Sequence, residues 1–559
     1  MTQGGPVPTP EPFDRRTFLA RGARTAAGLA VLGGAPGLLA ACGGGGSSGG
    51  ATSTSGAGVS TATPKPGGSV TMAVESEVDG FDPTTNRWDP GGIVYARSVY
   101  DPLAAIAADG TVKPYLAQSI TPNADYTLWT IKLRPNIQFH NGTPLDAAAV
   151  KTNLDAQKAS LLIGAAFTRI ASVNVVDPLT VTVSMNSPWV PFPVYLAGEY
   201  QSGYIAEPST LTNKTAQQHP IGTGPFVFSQ WVPGDHFTAT KNPRYWRSGM
   251  PYLDQITYKP IVDFQSRENS LKSGTVDMLH SSDLQNYVDL TANSSFVTVS
   301  DLHSTLEPDQ SFFMINTAVP PVNDVRVRQA LAYATDRQKY INVIDNGVPP
   351  QSTGPFVAGS PYNAPTGYPN FDLNKAKALV AQYGQPISVQ LNVVNSAKNL
   401  EVAQLLQSMW KAAGIQSQIN QVEQAQHILN ALSGKYQINQ WRQFAAADPD
   451  LNYQWWSSNT AQPVGQLSLN FARNKNPQIQ QALDTGRSNP DPAARTSAYQ
   501  TIAKQLGSDI PYLWLTRSVW IVAAKPTVMN FNGPTLPDGG KAYGFLGGEI
   551  WPTQIWLNH

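Results

Sequence analysis

Cysteine is almost missing from this chain: Cys42 stands alone among 559 residues. A disulfide framework is therefore excluded, and stability in an oxidising compartment has to come from packing. An excess of either charge is missing too. The 38 basic and 38 acidic side chains balance, so the surface offers no broad attraction for nucleic acid or an anionic membrane, and no nucleic-acid partner is expected. The histidines, at positions 140, 219, 236, 280, 303, 427 and 559, show no paired ligand spacing. With no cysteine to assist them, neither a resident metal nor another cofactor is expected. No internal repeat is found. The apolar run from Ala26 to Ala41 is broken by Gly33, Gly34, Pro36 and Gly37, and it falls short of the roughly 20 mostly apolar residues that a membrane-spanning helix needs.

That run does fit a cleaved export signal over residues 1–41, with a charged head at Arg15 and Arg16, an apolar middle and small residues at the end. The paired arginines followed by Phe18 and Leu19 resemble a twin-arginine signal, although Asp14 and Ala20 depart from its usual pattern, and the general secretion route stays open. Leu39, Ala40, Ala41 and Cys42 resemble the lipobox of bacterial lipoproteins, in which the cysteine is acylated and becomes the new N-terminus. The resemblance makes Cys42 an anchor to the outer face of the cytoplasmic membrane, each buried acyl CH2 contributing about 0.8 kcal/mol. Beyond it, "GGGGSSGGATSTSGAGVSTAT" holds almost nothing that could enter a core. Residues 42–63 therefore read as a flexible tether with an r.m.s. reach of about 25 Å.

The remainder, from about Pro64, is long enough for two or three domains with a large core. Its first half reads as strands and hairpins. "GGSVTMAV" (67–74) alternates, "TLWTIKLRPNIQF" (127–139) and "VNVVDPLTVTVSM" (173–185) are hairpin material, and "FVFSQWVPGDHFTATKN" (226–242) carries its turn at Pro233, Gly234 and Asp235. The second half turns helical. Asp324 caps a helix with Val327, Leu331, Ala334 and Ile341 at helical spacing, and Asp372 caps another with Ala376, Leu379 and Tyr383 inward and Gly384 as its stop. "ISVQLNVV" (387–394), an amphipathic helix (399–414) and "IQSQINQVE" (415–423) form a β-α-β unit, which predicts a mixed or parallel sheet covered by helices.

Eight segments then point in one direction: "FDP" (81–83), "YDPL" (100–103), "YTLWTIKLRPNIQFHNGTPLDAAAVKTNLD" (126–155), "PIGTGPF" (220–226), "KNPRYW" (241–246), "PYLDQI" (251–256), "SGTVDML" (273–279) and "VNDVRVRQALAYATDR" (322–337). In kind and order they resemble the extracellular solute-binding proteins of family 5, which serve dipeptide, oligopeptide and nickel importers. Each segment also has a local role. Gly222, Gly224 and Pro225 permit a tight turn into the strand at Phe226, and Thr143 or Asp146 can cap the helix after the Asn141-Gly142 turn.

The resemblance implies an α/β fold of the two-lobed, type II periplasmic-binding-protein kind, with an extra subdomain in the first lobe. The first lobe would comprise residues 64–315 plus 517–559, with the subdomain at about 100–213, and the second lobe residues 316–516. It further implies a monomeric receptor that closes on a small solute or peptide and presents it to an ATP-binding-cassette permease. By the same resemblance, "EVDGFDP" sets Glu77, Val78 and Asp79 beside the ligand, and "QWRQFAAADPDLNYQWW" (440–456) supplies Trp441, Arg442, Phe444, Ala445 and Asp448. Tyr512 and Trp514 near the return crossing complete the set. Peptide binders place an acid where Ala445 stands, to receive the peptide's α-amino group. Either Asp448 or Asp450 substitutes here, or the ligand lacks a free amino terminus. Arg442 offers planar donors suited to a carboxylate or phosphate.

An enzyme is the competing reading. Ser408 and Lys411 match the Ser-x-x-Lys of penicillin-recognising acyl transferases, with "SSN" (457–459) and "KSG" (272–274) as the other motifs. The order is wrong for that class, because "KSG" should come last, and Trp410 lies on the apolar stripe with Leu406. No catalysis is expected. A purely structural lipoprotein is the other alternative, which ligand-dependent closure would exclude.

Overall fold

In the first sheet, Ser69–Val74 turns Val70, Met72 and Val74 into a buried face, as its alternation requires. It lies between Gln255–Pro260 and Met278–Ser281, parallel to both. The sheet continues outward on one side through His236–Lys241 and Phe226–Val232, and on the other through Ile521–Ala524 and Val297–Ser300. The computed structural model describes residues 62–558 apart from Arg87, Thr305, Phe444 and Ala445. The export signal, Cys42 and most of the tether lie outside the described residues.

A four-stranded sheet, Ala117–Pro122, Leu128–Leu133, Thr180–Met185 and Ile170–Asp177, forms the subdomain of this lobe. Trp129, Ile131, Leu133, Val181 and Val183 alternate into its core. Within the hairpin material of 127–139 the strand ends at Leu133, and Asn136 just beyond it takes a left-handed conformation (φ 62). The helix Ala147–Ala159 covers the sheet. Of the two candidate caps, Asp146 serves, its carboxylate accepting from the Ala149 amide at 2.8 Å.

The second lobe is built on a mixed sheet in the order Ile415–Val422, Ile387–Val394, Ile438–Gln443, Gln310–Ile315, Tyr512–Arg517. The first three strands run parallel, and the last two join antiparallel. The β-α-β unit forms with the helix Ala397–Ala412 as its crossover, and Gly414 (φ 89) ends it. Trp410 is buried there, its indole N–H donating to Thr335 Oγ1 at 3.0 Å, while Ser408 and Lys411 point to solvent. The long helix expected from Asp324 is two helices, Val325–Ala334 and Arg337–Ile344. Asp336 caps the second, accepting from the Lys339 amide, so a local cap overrides apolar spacing that runs straight through the break. Asp372 and Gly384 bound the next helix, Leu373–Tyr383, in which Ala376 is buried and Leu379 and Tyr383 are half-buried.

The chain crosses between the two large sheets twice. It leaves the first after Ser300 and joins the second at Gln310, and it returns between Arg517 and Ile521. The first crossing therefore precedes the expected division at 315/316, because Gln310–Ile315 pairs on both sides with strands of the second sheet.

Gly222 and Gly224 differ from their expected role in a tight turn. Neither takes a positive φ. A Cβ on Gly222 would stand 2.2 Å from the Val99 carbonyl oxygen, and one on Gly224 would stand 2.4 Å from the Val99 carbonyl carbon. The two glycines let this segment lie directly against the end of the buried helix Pro90–Val99.

Candidate functional site

Gln310–Ile315, Ile438–Gln443 and Tyr512–Arg517 lie side by side, with Phe312 opposite both Trp441 and Trp514, and Met314 opposite Tyr512. Residues directly opposite one another share a face, so Phe312, Met314, Trp441, Gln443 and Tyr512 form one floor. The short helix Tyr453–Trp456 and the segment 469–471 complete the walls with Trp455, Trp456, Leu469 and Phe471. They line a cavity of about 20 Å3, room for about one water molecule. The walls are held by ring contacts: Trp441 stacks on His427 at 5.6 Å and meets Phe471 edge-on at 5.1 Å, and Phe312 lies 4.6 Å from Tyr512. Trp514 shares that face, touching Phe312 and Tyr512, but is fully buried and does not line the cavity.

Arg442 is the charged side chain in this lining. Its guanidinium carbon lies 4.7 Å from the centre of the Trp520 ring, and its Nε is 3.9 Å from Asp309 Oδ2, too far for a hydrogen bond. Asp309 Oδ2 instead accepts from Trp520 Nε1 at 3.0 Å. Among the described residues the Arg442 guanidinium makes no hydrogen bond, and its side chain is 30% exposed. Other arginines make side-chain hydrogen bonds: Arg97 donates to Glu549, Tyr204 and backbone carbonyls, and Arg267, Arg487 and Arg495 also donate, although Arg267 Nε and Arg487 Nη1 lack a partner among the described residues. An arginine at the edge of an aromatic cavity, with no hydrogen bond from its guanidinium among the described residues, is equipped to receive an anion.

His280 stacks on the same Trp520 ring, at 4.9 Å. Burial pushes it down to about 4, with nearby Glu75 and Asp89 opposing and Arg267 and Arg442 assisting. It is neutral near pH 7 and adds no positive charge beside Arg442.

The acidic candidates are already engaged. Asp448 accepts from Arg495 Nη2 with both oxygens, at 3.0 and 2.8 Å, and also caps the Asp450 amide at 2.9 Å. Asp450 is fully buried, paired with Arg487 at 3.1 Å and accepting from Trp189 Nε1 at 2.9 Å. Neither lines the cavity, and each already faces an arginine. Phe444 and Ala445 lie outside the described residues. In the first lobe, Glu77 accepts from Trp231 Nε1 and the Gly234 amide, both at 2.9 Å. Val78 is buried in that lobe's core, and Asp79 is exposed, accepting from Asn86 Nδ2 at 3.1 Å. None of the three reaches the cavity. Of the candidates, the structure thus gathers Trp441, Arg442 and Tyr512 and adds Phe312, Met314, Gln443, Trp455, Trp456, Leu469 and Phe471. The adjacent tryptophans 455 and 456 were a sequence signal, since they sit in the same aromatic-rich stretch as Trp441.

Two large sheets joined by two crossings, with a separate subdomain on the first lobe, define a two-lobed binding protein of the type II periplasmic kind. The chain belongs to the bacterial extracellular solute-binding proteins, family 5, whose model matches residues 111–464. It is similar to the glutathione-binding protein GsiB of Pectobacterium atrosepticum, 26% identical over 490 residues, which covers 84% of this chain and 91% of that protein. Its fold is similar to that of the peptide-bound periplasmic binding protein DppA of Helicobacter pylori, with a TM-score of 0.77, 22% identity, and coverage of 89% of this chain and 99% of that one. It is likewise similar to MoaA of A. tumefaciens R10, in complex with mannopinic acid, with a TM-score of 0.76, 23% identity, and coverage of 89% and 100%.

Proposed function

We propose that this chain is the lipid-anchored receptor of an ATP-binding-cassette importer, and that it captures a carboxylate-bearing solute, in the first instance a short peptide, between its lobes. The observation that carries the reading is Arg442, a cation whose guanidinium makes no hydrogen bond among the described residues, at the edge of an aromatic cavity beside the crossings between the sheets. A ligand carboxylate would take the guanidinium fork while its apolar part lies on Trp441 and Tyr512. Likeness to proteins named for glutathione, an anionic tripeptide, supports the same chemistry. The two crossings act as the hinge, lobe closure removes the ligand from water, and the closed form is handed to a membrane permease. Cys42, acylated, holds the receptor at the membrane, and the tether gives it reach. The receptor performs no chemistry of its own.

A second reading rests on the engaged acids. With Asp448 and Asp450 paired to arginines, a free α-ammonium finds no carboxylate there, and a buried ammonium without one is costly. That favours a ligand whose amino group is substituted, such as an opine or a sugar derivative; a metal chelate offers a carboxylate on the same terms.

The deciding experiment expresses residues from about Thr61 onward, exposes the protein to cell extract, washes, denatures and identifies the released molecules by mass spectrometry. A family of short peptides supports the first reading. A single substituted amino acid or chelate supports the second. Recovery of no small molecule from extract, together with no closure in solution, would overturn both.

A further inference from the structure

The subdomain of the first lobe meets the second lobe at a place remote in sequence from both crossings, and the contact is built around an ion pair. Asp450 and Arg487, both of the second lobe, pair at 3.1 Å with no exposed surface on either side chain. The subdomain closes over them. Trp189 donates its indole N–H to Asp450 Oδ2 at 2.9 Å, and the Tyr195 hydroxyl donates to the Asp450 carbonyl oxygen. In return, Arg487 Nη2 donates to the Ala166 carbonyl at 2.7 Å, and the Arg487 carbonyl accepts from the Val190 amide at 2.8 Å. The guanidinium also lies over two rings, Trp189 of the subdomain at 4.4 Å and Tyr453 of its own lobe at 4.0 Å.

We propose that this junction is a separable latch, with Asp450–Arg487 as a prebuilt socket and Trp189 and Tyr195 as the groups that engage it when the lobes close. The chemistry of the contact argues for separation. A permanent junction is served as well or better by apolar packing, since a buried ion pair rarely gains over an apolar replacement. A junction that opens has the opposite need. Leu451 and Ala446 of the second lobe also pack into the subdomain's core, but the Asp–Arg pair at the centre of the contact stays together on one lobe and is readily hydrated on opening. Contacts between domains that move are accordingly the more polar ones. The donors are also directional, so they accept the subdomain in one pose only.

The latch reaches the ligand cavity through a single turn of helix. Tyr453, which stacks on Arg487, begins the helix Tyr453–Trp456, and Trp455 and Trp456 at its other end are cavity walls. Trp189 and Tyr195 are therefore positioning residues: they touch no ligand, yet they fix the element that carries two of its walls. This inference rests on the proposed function only in taking the two lobes to open and close.

The test uses nitroxide pairs at the exposed sites Val176 in the subdomain and Val464 in the second lobe, each changed to Cys in a full-length chain carrying Cys42→Ser, with distances read by pulsed electron paramagnetic resonance. No ligand is added, so the readout does not depend on ligand identity. Tyr195→Phe should add a longer-distance population, and Trp189→Phe/Tyr195→Phe should enlarge it, while the first thermal transition is retained. Should the double variant lose that transition, Tyr195→Phe alone decides, because it removes one hydroxyl and keeps its ring. Distance distributions superimposable on the parent would overturn the latch. So would a parent chain showing only the longer distance. A responsive latch alongside a failed capture experiment would overturn the ligand reading and leave the latch standing.

Discussion

The Arg442 guanidinium lies over the ring of Trp520, and Trp520 belongs to the segment that returns the chain to the first sheet. The indole N–H of that ring donates to Asp309, in the segment that crosses the other way. The Arg442 cation is thus seated on a tie between the two crossings. A group that binds Arg442 acts where the lobes are joined.

Removing that cation should be felt in affinity. Arg442→Ala is expected to weaken binding of the captured carboxylate ligand at least tenfold, in line with about 1.5–3 kcal/mol for a hydrogen bond to a charged group. Arg442→Lys should fall between, because an ammonium keeps the charge and loses the planar fork. Titration calorimetry with the solute identified by capture measures both. Affinity unchanged in Arg442→Ala would remove the residue from the site.

The first crossing also carries a pH dependence. Burial pushes the Glu307 carboxyl up to about 7, against the hydrogen bonds from Ser360 and the Val357 amide and the pull of Arg517. Between the ordinary carboxyl range near 4.3 and about 7, the folded chain keeps a proton that the unfolded chain has released. Stability from this group is therefore present at acid pH and lost as pH rises through that window. Glu307→Gln keeps an acceptor for the Val357 amide, which donates at 2.9 Å, and removes the titration. The Tm of the variant relative to the parent should rise between pH 5 and pH 8, and calorimetric scans giving a constant offset would contradict it.

What could be read from the sequence was what a single residue or a short period decides. Asp146, Asp324 and Asp372 cap their helices with their own carboxylates, and Gly384 and Gly414 stop theirs, all within one turn. The family, the two lobes and the mixed sheet followed from segments whose order is local information. The break after Ala334 escaped because apolar spacing continues through it. Partners far away in sequence escaped as well. Asp448 and Asp450 look available until Arg495 and Arg487 arrive from later helices, and Glu77 looks like a ligand contact until the turn at Gly234 claims it. Of the cavity lining, Trp441 and Arg442 were named from one motif and Tyr512 from its place near the return crossing. Phe312 and Phe471 were not, because strand pairing and a distant loop bring them in.

The glycines of "PIGTGPF" give a prediction of the same long-range kind. Gly224→Ala would force a Cβ to within 2.5 Å of the Val99 carbonyl oxygen. Backbone cannot step aside as a flexible side chain can, so a cost of about 1–3 kcal/mol is expected. At roughly 2–4 °C per kcal/mol for a domain of this size, Tm should fall by several degrees. Gly234→Ala serves as the control. Its Cβ meets nothing within 4 Å, and only its φ of +79 is penalised, at about 1–2 kcal/mol. Equal, small losses in both variants would mean that the approach to Val99 relaxes.

The last prediction concerns the only thiol. If Cys42 is the acylated anchor, Cys42→Ser should move the protein from the membrane fraction to the soluble one, as read by fractionation and by loss of fatty-acid label. The neighbouring apolar run is a poor substitute for it: 16 residues from Ala26 to Ala41 would rise about 24 Å as a helix, short of the roughly 30 Å hydrocarbon core. One acyl chain alone holds a protein only marginally, with an association constant of about 10⁴ M⁻¹, and stable anchoring takes a second. A lipoprotein cysteine supplies more than one chain at a single residue, which is why one substitution should suffice for release. Should the Cys42→Ser chain remain in the membrane fraction, the anchor would be the uncleaved signal, held by Arg15 and Arg16 at its head, and Cys42 would be a bystander.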